Sequence, residues 1–345
     1  MKRNIAGFLV RALKKIDCAL RGFILKFFMP ESSEESKPIN HESKKEKRGI
    51  RFSDLPVFPW LIYVFVRFAA FVISILPLNS ASRTAEFLGA ISYLILRKRR
   101  RIALENLDIA FRDTKSKREK ELIARKAFQH IALSFAELFM VKKIGANFTT
   151  AIQVTGEDHL KAAHARGRGV IMCMSHFGSW EMLGLYARKN QLPYSVIVRA
   201  VRNPFLYEWI QKLRQTNGVQ TIDKDGSARK ILSELKQGNC VAMLIDQWPG
   251  EECVWVDFFG ISTATTLAPA VIARRTGAAI VPFFCRRLSY GKYAIEYLPE
   301  VVVPQTEHWQ EAVMTTLSKQ LEGYLRKFPE QWIWGHRRWK QIGPS

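Results

Sequence analysis

The sequence predicts an α/β fold, a mixed sheet flanked by helices, with an N-terminal membrane-anchoring helix ahead of it. Beyond residue 101, short apolar runs alternate with helical patterns, as in layered α/β proteins. Residues 55–78 form an apolar run of about the length that crosses a bilayer. A formal net charge of +22 on 345 residues indicates an acidic partner: nucleic acid, an anionic membrane surface, or an acidic substrate or carrier.

The first 54 residues divide into two segments. Residues 1–29 place apolar side chains at helical spacing with Lys and Arg interspersed, which predicts a basic amphipathic helix. No cleavage site of small residues follows it, so a helix in an anionic membrane interface is favoured over a secretory signal, with a partner-binding helix as the alternative. Residues 30–54 are polar and charged and predict a flexible linker.

Residues 55–98 are predicted to anchor the protein in the membrane. The run 55–78 carries Arg67 near its middle, and one central arginine costs about 2.5 to 3.5 kcal/mol on insertion. A spanning or deeply embedded helix is favoured, with a buried or interfacial helix as the alternative. Basic clusters lie on both sides of the run, so the positive-inside rule does not orient it.

Residues 99–345 contain the remaining elements, beginning with a polar helix pair at about 103–142. The predicted strands are 170–174, 194–198, 241–245, 280–284 and 293–297. The predicted helices are 180–188, 204–214, 228–236, 267–275 and 307–327. The five cysteines are odd in number and widely spread, without a C-x-x-C pair, so neither a disulfide framework nor a zinc site is expected.

The stretch MCMSHFGSWEML, residues 172–183, carries the chemistry. His176 follows a predicted strand and precedes a glycine and a helix, where α/β folds place active groups. Glu181 is expected in the first turn of that helix, where the helix dipole favours its carboxylate. We predict that Glu181 orients one imidazole nitrogen of His176 and leaves the other as a base for a substrate hydroxyl.

Other chemistries have weaker support. Ser175 and Ser179 flank His176, so a serine nucleophile stays open, although no G-x-S-x-G elbow is present. Backbone N–H groups at the helix start are candidates for binding an oxyanion. Neither His159 nor His164 has acidic neighbours at metal-site spacing, and no H-E-x-x-H motif occurs.

Several segments, in order, resemble the late acyltransferases of lipid A biosynthesis, the lauroyl/myristoyl transferase family of the lysophospholipid acyltransferase superfamily. The resemblance covers about residues 90–340. Its motifs are RRRIALENLDIAF (99–111), GVIMCMSHFGSWEMLG (169–184), VRAVRNP (198–204), CVAMLIDQ (240–247), FFGISTATTLAPAVIARRTGAAIVPFF (258–284) and WIWGHRRWK (332–340). It implies a glycerolipid-acyltransferase-like fold, with residues 99–345 as the catalytic domain.

The resemblance also implies roles for individual residues. It makes His176 the base and Glu181 its partner. The residues that it implies for substrate binding are Arg199, Asn203, Asp246, Gln247, Arg337 and Arg338. Residues 99–101 are candidate headgroup or carrier contacts, and Trp332, Trp334 and Trp339 are expected either at the membrane interface or in a half-buried C-terminal cluster.

The implied reaction moves a fatty acyl chain from acyl carrier protein to a hydroxyl of a Kdo-bearing lipid A precursor. It needs no cofactor or metal and no acyl-enzyme, and it occurs at the cytoplasmic face of the bacterial inner membrane. An acidic carrier and a phosphorylated glycolipid in an anionic leaflet both suit the charge of +22.

Two alternatives remain. The acceptor could be another glycolipid, such as a phosphatidylinositol mannoside, or an aminolipid. A non-enzymatic basic protein is supported by charge alone, and nucleic acid is disfavoured because the basic clusters flank apolar helices.

Against glycerolipid acylation, Ser175 replaces the asparagine found before the histidine in glycerol-phosphate acyltransferases, and no F-P-E-G-T-R block is present. The first 50 residues exceed the family's usual anchor.

Overall fold

The structure, a computed structural model, describes residues 57–341 except 202 and 225, together with residue 343. The amphipathic helix and the linker expected over residues 1–29 and 30–54 lie outside these residues. In chain order the helices are α1 (Val57–Ile75), α2 (Leu78–Ile95), α3 (Arg97–Phe111), α4 (Lys117–Ala146), α5 (Phe148–Ala151), α6 (Glu157–Ala165), α7 (Met182–Lys189), α8 (Pro204–Thr216), α9 (Ser227–Lys236), α10 (Ala268–Thr276) and α11 (Trp309–Lys327).

A seven-stranded mixed sheet forms the centre of the protein. The strands are β1 (Ile152–Thr155), β2 (Val170–Met174), β3 (Tyr194–Val198), β4 (Gln220–Asp223), β5 (Cys240–Leu244), β8 (Ala279–Ser289) and β9 (Lys292–Tyr297), in the spatial order β1-β9-β8-β2-β5-β3-β4. Strand β2 is central and parallel to both β5 and β8, whereas β8 and β9 are antiparallel. The predicted α/β class with a mixed sheet is therefore confirmed.

Strand β2 shows why the sheet is covered on both faces. All five of its residues are buried, as expected for a central parallel strand. Because successive side chains point to opposite faces, Val170, Met172 and Met174 join one apolar core, to which α4 and α7 contribute. Ile171 and Cys173 join a second core with residues of α9, α10 and α11. The helices on the two faces hold the carboxyl end of β2 in place.

Four strands were not predicted. β1 and β4 are four-residue strands at the two edges of the sheet, where polar residues such as Gln153 and Gln220 weaken the apolar pattern. The other two, β6 (Val254–Phe258) and β7 (Ile261–Thr265), form a separate antiparallel hairpin. Its two turn residues, Phe259 and Gly260, both have positive φ, as tight hairpins require.

Helix α1 presents two different faces. Val66, Ala70 and Ile73 are buried against the protein. On the opposite side, large apolar side chains are exposed at Trp60, Leu61, Val64, Phe65, Phe68, Phe71 and Ile75. Within the part of the chain that the structure describes, no helix combines the length and the apolar character needed to cross a membrane. The spanning helix expected over residues 55–78 is thus not confirmed.

The three C-terminal tryptophans lie in the protein interior. Trp332, Trp334 and Trp339 are all buried and pack in an aromatic core with residues of α3, α4 and α11. Asn106 on α3 fixes this segment, because its amide donates to the backbone carbonyls of Trp334 (2.7 Å) and His336 (2.6 Å). The expectation that these tryptophans sit at the membrane interface is therefore wrong, and their cluster is fully rather than half buried.

Candidate active site

His176 and Asp246 meet because of the register of two neighbouring parallel strands. Met174 at the end of β2 pairs with Leu244 at the end of β5. His176 and Asp246 each follow two residues later, at the carboxyl edge of the sheet. This edge is where open α/β sheets place their ligand sites. The predicted position of His176 past a strand is confirmed, and so is that of Asp246.

Asp246 is fully buried and accepts three hydrogen bonds. Its Oδ1 atom lies 2.9 Å from Nδ1 of His176, while Oδ2 accepts from the backbone N–H of His176 (2.8 Å) and from Nε1 of Trp332 (2.7 Å). Burial alone would raise the pKa of Asp246, but the imidazole charge and these donors lower it to about 2. Asp246 is thus a carboxylate at neutral pH, and its Oδ1 can keep the imidazole proton on Nδ1 of His176.

The Nε2 atom of His176 is the reactive candidate. No hydrogen bond from any described residue reaches it, and 17% of the His176 side chain is exposed, against 0% for Asp246. The ring of Trp180 packs edge-on against the imidazole with the centroids 5.3 Å apart. With the proton on Nδ1, Nε2 carries the lone pair, which is the arrangement of a general base.

Glu181 does not orient His176 in this structure, which corrects the sequence prediction. Its carboxylate accepts from Nη2 (2.5 Å) and Nε (3.4 Å) of Arg214 on α8. The physical reason is that residues 177–181 are an irregular turn, with an isolated β-bridge between Phe177 and Trp332, and α7 begins only at Met182. Helical spacing therefore does not bring the carboxylate back to the imidazole. Glu181 instead ties the start of α7 to α8.

The other predicted residues after β3 and β5 are not brought into contact with His176. Arg199 is exposed at the loop that follows β3. Asn203 caps α8 by accepting from the backbone N–H of Leu206 (3.2 Å) and donates to the carbonyl of Pro59 (2.8 Å), which links α8 to α1. Gln247 is half-buried beside Asp246.

Of the predicted pair Arg337 and Arg338, only the second lies near the site. Arg338 is buried and donates to the carbonyl of Ala264 and to the hydroxyl of Thr265 (2.6 Å). Burial lowers the pKa of Arg338 to about 10, although the charge of Asp246 opposes this shift. Arg337 is exposed.

The serines beside His176 are poorly placed for nucleophilic attack. Ser179 is fully buried and its hydroxyl donates to Glu137, while Ser175 is also buried. The first amides of the turn are occupied as well, since Gly178 N–H donates to the carbonyl of Gln331 (2.7 Å) and Ser179 N–H to that of Cys285 (2.9 Å). These two amides therefore cannot bind an oxyanion.

The sequence did not predict that Trp332 and His336 lie close to the pair of His176 and Asp246. Trp332 was expected at the membrane interface or in a half-buried cluster, yet its Nε1 donates to the carboxylate of Asp246, which also contacts His176. His336 is buried, and burial first, then the charge of His176, lowers its pKa to about 3, so it is neutral. The motif WIWGHRRWK signalled an important segment, but nothing in its pattern showed which side chains face the site.

The site is a partly exposed histidine with a buried carboxylate partner, at the edge of a sheet. Such a pair can take a proton from a hydroxyl and return it to a leaving group. Within the residues that the structure describes, no group of three or more His, Cys, Asp or Glu side chains is arranged to hold a metal ion.

Comparison with known proteins identifies the family. The family model of bacterial lipid A biosynthesis acyltransferases matches residues 53–341. The lipid A biosynthesis lauroyltransferase of Escherichia coli K12 is 27% identical over 84% of this chain and 95% of its own, and the palmitoleoyltransferase is 28% identical over 73% and 82%. A phosphatidylinositol mannoside acyltransferase of Mycolicibacterium smegmatis is 25% identical over 54% of this chain and 62% of its own. The chain belongs to the bacterial lipid A biosynthesis acyltransferase family.

Proposed function

We propose that the protein transfers a fatty acyl chain from acyl carrier protein to a hydroxyl of a Kdo-bearing lipid A precursor. The observation that carries this proposal is the pair His176 and Asp246, with Nδ1 of the imidazole 2.9 Å from the carboxylate and the His176 side chain partly exposed. Family membership supports acyl transfer as the reaction, and the names of the relatives that match most of this chain support lipid A as the acceptor class.

The reaction needs one base and one acid, and His176 can serve as both. Nε2 takes the proton of the acceptor hydroxyl as its oxygen attacks the thioester carbonyl. The resulting imidazolium is stabilised by the carboxylate of Asp246, which remains ionised. As the carbon–sulfur bond breaks, the imidazolium returns its proton to the thiolate of the carrier. Burial of Ser175 and Ser179 favours this direct transfer over an acyl-serine intermediate.

A carrier protein as donor fits the charge of the enzyme. Acyl carrier proteins are acidic, and a basic partner speeds their encounter through electrostatic steering. One candidate surface is a depression of about 620 Å³ on α3, lined by Arg97, Lys98, Arg100, Arg101 and Glu105 among others. Arg99 points the other way: it is buried and donates to the carbonyl of Gly335 (3.2 Å).

Membrane association is supported by the exposed apolar surface of α1, and we propose that it occurs at the cytoplasmic face of the inner membrane. Besides the exposed face of α1, helix α2 also exposes large apolar side chains, at Phe87, Leu88 and Leu94. Exposed apolar patches larger than a few hundred Å² are rare on soluble monomers and mark interaction surfaces. We therefore assign α1 and α2 to the lipid interface, where the acceptor resides.

A second acceptor class has specific support. The mycobacterial relatives are named phosphatidylinositol mannoside acyltransferases, and one of them is 30% identical over 38% of this chain. The same base would acylate a sugar hydroxyl of either glycolipid. Lipid A is preferred because the relatives named for it match a larger share of this chain.

The test is an acyl-transfer assay with labelled acyl carrier protein, purified lipid acceptors of both classes and detergent-solubilised protein. Wild type should label the Kdo-bearing precursor, and His176→Ala should lose this activity. The matched control is His159→Ala, which removes an exposed histidine on α6. Acyl transfer by His176→Ala at the wild-type rate would contradict the mechanism. Labelling of the phosphatidylinositol mannoside alone would show that the second acceptor class is the right one. Mass spectrometry of lipids from cells that lack the protein would identify the missing chain.

A further inference from the structure

A buried polar cluster lies behind the turn that carries His176. It consists of His130, Ser134 and Glu137 on α4, Arg287 on β8 and Tyr293 on β9; we call it the Glu137 cluster. The three helical members are spaced by four and three residues, so they share one face of α4. Glu137 and Arg287 are both buried. The proposed transfer step uses neither side chain.

Every acceptor position of the Glu137 carboxylate is used. Oε1 accepts from Nε of Arg287 (2.6 Å) and from the hydroxyl of Tyr293 (2.8 Å). Oε2 accepts from Nη2 of Arg287 (2.7 Å) and from the hydroxyl of Ser179. Two oxygens can accept about four hydrogen bonds, so the carboxylate is saturated and its geometry is fixed.

Arg287 is similarly restrained. Besides Glu137, its guanidinium contacts Nδ1 of His130 (2.5 Å) and the hydroxyl of Ser134 (2.8 Å). Burial and the adjacent guanidinium lower the pKa of His130 to about 3, so the imidazole is neutral and accepts from Arg287. The cluster therefore contains one positive and one negative charge, which compensate each other.

The cluster is attached to the turn at two points. Ser179 donates its hydroxyl to Glu137, and the hydroxyl of Ser134 lies 2.9 Å from the carbonyl oxygen of Gly178. Gly178 has φ of +60° and sits directly against Cys285, where a Cβ atom would overlap the carbonyl oxygen. The turn is thus fixed two and three residues beyond His176.

Stability alone is a weak explanation for such a cluster. A buried ion pair gains about as much from its attraction as it loses through desolvation, and well-packed apolar residues often serve as well. A fully satisfied network does, however, hold its members in a single arrangement. Here the arrangement that it holds includes the turn between His176 and α7.

We propose that Glu137 and Arg287 are positioning residues that act through Ser179 and Gly178 to hold His176 in line with Asp246. This inference rests on the proposed role of His176 as the base. The cluster touches neither reacting group, and it acts by restricting the turn. Displacement of a catalytic group by about 1 Å can slow a reaction roughly 100-fold, so loss of the anchor should slow the chemical step.

The main variant is Ser179→Ala in the full-length protein, because it removes one hydroxyl and leaves the pair of Glu137 and Arg287 intact. We expect kcat to fall roughly 10- to 100-fold while KM stays within about two-fold. Hydrogen–deuterium exchange should increase in the peptide that covers residues 172–183, because a less restrained turn opens more often the hydrogen bonds from the amides of residues 178 and 179 to the carbonyls of Gln331 and Cys285.

The matched control is Ser195→Ala. Ser195 is also a buried serine whose hydroxyl lies near a glutamate, Glu234 at 3.5 Å, but it stands near the start of β3, at the opposite end of the strands from His176. Its removal should leave kcat and exchange over residues 172–183 unchanged. Glu137→Gln serves as a second variant and should act in the same direction as Ser179→Ala, with a larger effect.

The outcomes separate this inference from the proposed function. If wild type transfers acyl chains and His176→Ala does not, while Ser179→Ala keeps the wild-type kcat, the positioning role is wrong and the function stands. Equal losses in Ser179→Ala and Ser195→Ala would also overturn it. If wild type transfers no acyl chain, the proposed function fails. The hydrogen–deuterium exchange measurement still tests the anchoring of the turn, and unchanged exchange over residues 172–183 in Ser179→Ala would refute it.

Discussion

Asp246→Asn tests which carboxylate orients His176. An asparagine matches the shape of Asp246 but replaces one oxygen with an NH₂ group. In one rotamer the NH₂ group takes the place of Oδ2. It then faces two other donors, the backbone N–H of His176 and Nε1 of Trp332, which lie within 2.8 Å of Oδ2 in the wild type. The opposite rotamer keeps those two bonds and places the NH₂ group against Nδ1 of His176, so it is the favoured one.

The favoured rotamer reverses the tautomer of the imidazole. Nδ1 must then accept a hydrogen bond, and the ring proton moves to Nε2, where it blocks the base. We expect kcat to fall roughly 10²- to 10⁴-fold, about 3 to 5 kcal/mol in the barrier, as in other histidine–carboxylate pairs. The fold should persist, since two of the three hydrogen bonds of Asp246 survive.

The assay compares Asp246→Asn with Glu181→Gln in steady-state acyl transfer, with thermal melting as the control for folding. Glu181→Gln weakens the pair with Arg214 and should change kcat much less, because Nδ1 of His176 keeps its partner. The reasoning would be refuted if Asp246→Asn retained wild-type kcat while Glu181→Gln abolished it in a folded protein. That result would restore the role that the sequence suggested for Glu181.

Three further predictions follow from the same structure. Gly178→Ala should yield little folded protein in a solubility and melting assay, because the added Cβ meets the carbonyl of Cys285 at a positive φ. Acid should destabilise the protein through His336. The pKa of His336 is about 3 in the folded protein and 6.5 in the unfolded chain, so the unfolded chain binds the proton first as the pH falls through 6.5. Between pH 7.5 and 5.5, wild type should lose about 1.4 kcal/mol more unfolding free energy than His336→Gln in denaturant titrations, and equal losses would contradict the assignment. Replacement of Phe65 and Phe68 by Ser should reduce co-sedimentation with anionic lipid vesicles while melting stays unchanged, whereas undiminished binding would argue against α1 as the lipid interface.

The elements around the site were predictable because they are the most regular in the chain. The β2 strand is a continuous apolar run, which is typical of a buried parallel strand, and His176 follows it directly. Asp246 ends a second such run, and the sequence prediction placed it in the same crevice. What the pattern could not supply was the pairing of the two strands, from which their contact arises.

The errors have physical causes as well. Glu181 was predicted to reach His176 because a helix was expected to start at residue 180, whereas turns occupy that position. For Trp332 and its neighbours the sequence left two positions open, a membrane interface and a half-buried cluster. Tryptophan suits both environments, and its burial depends on which residues the fold packs against it. The Glu137 cluster joins residues about 150 positions apart, which no local pattern reveals.

The shared register of β2 and β5 also limits how these two segments can change in length. His176 and Asp246 each stand two positions past a matched pair, Met174 and Leu244. Each residue advances a strand by about 3.3 Å, so one insertion or deletion in either segment would carry one partner beyond hydrogen-bond reach. Natural relatives that keep this pair should therefore tolerate insertions elsewhere in the chain. The segments that lead from β2 to the histidine and from β5 to the aspartate should keep equal lengths or change together.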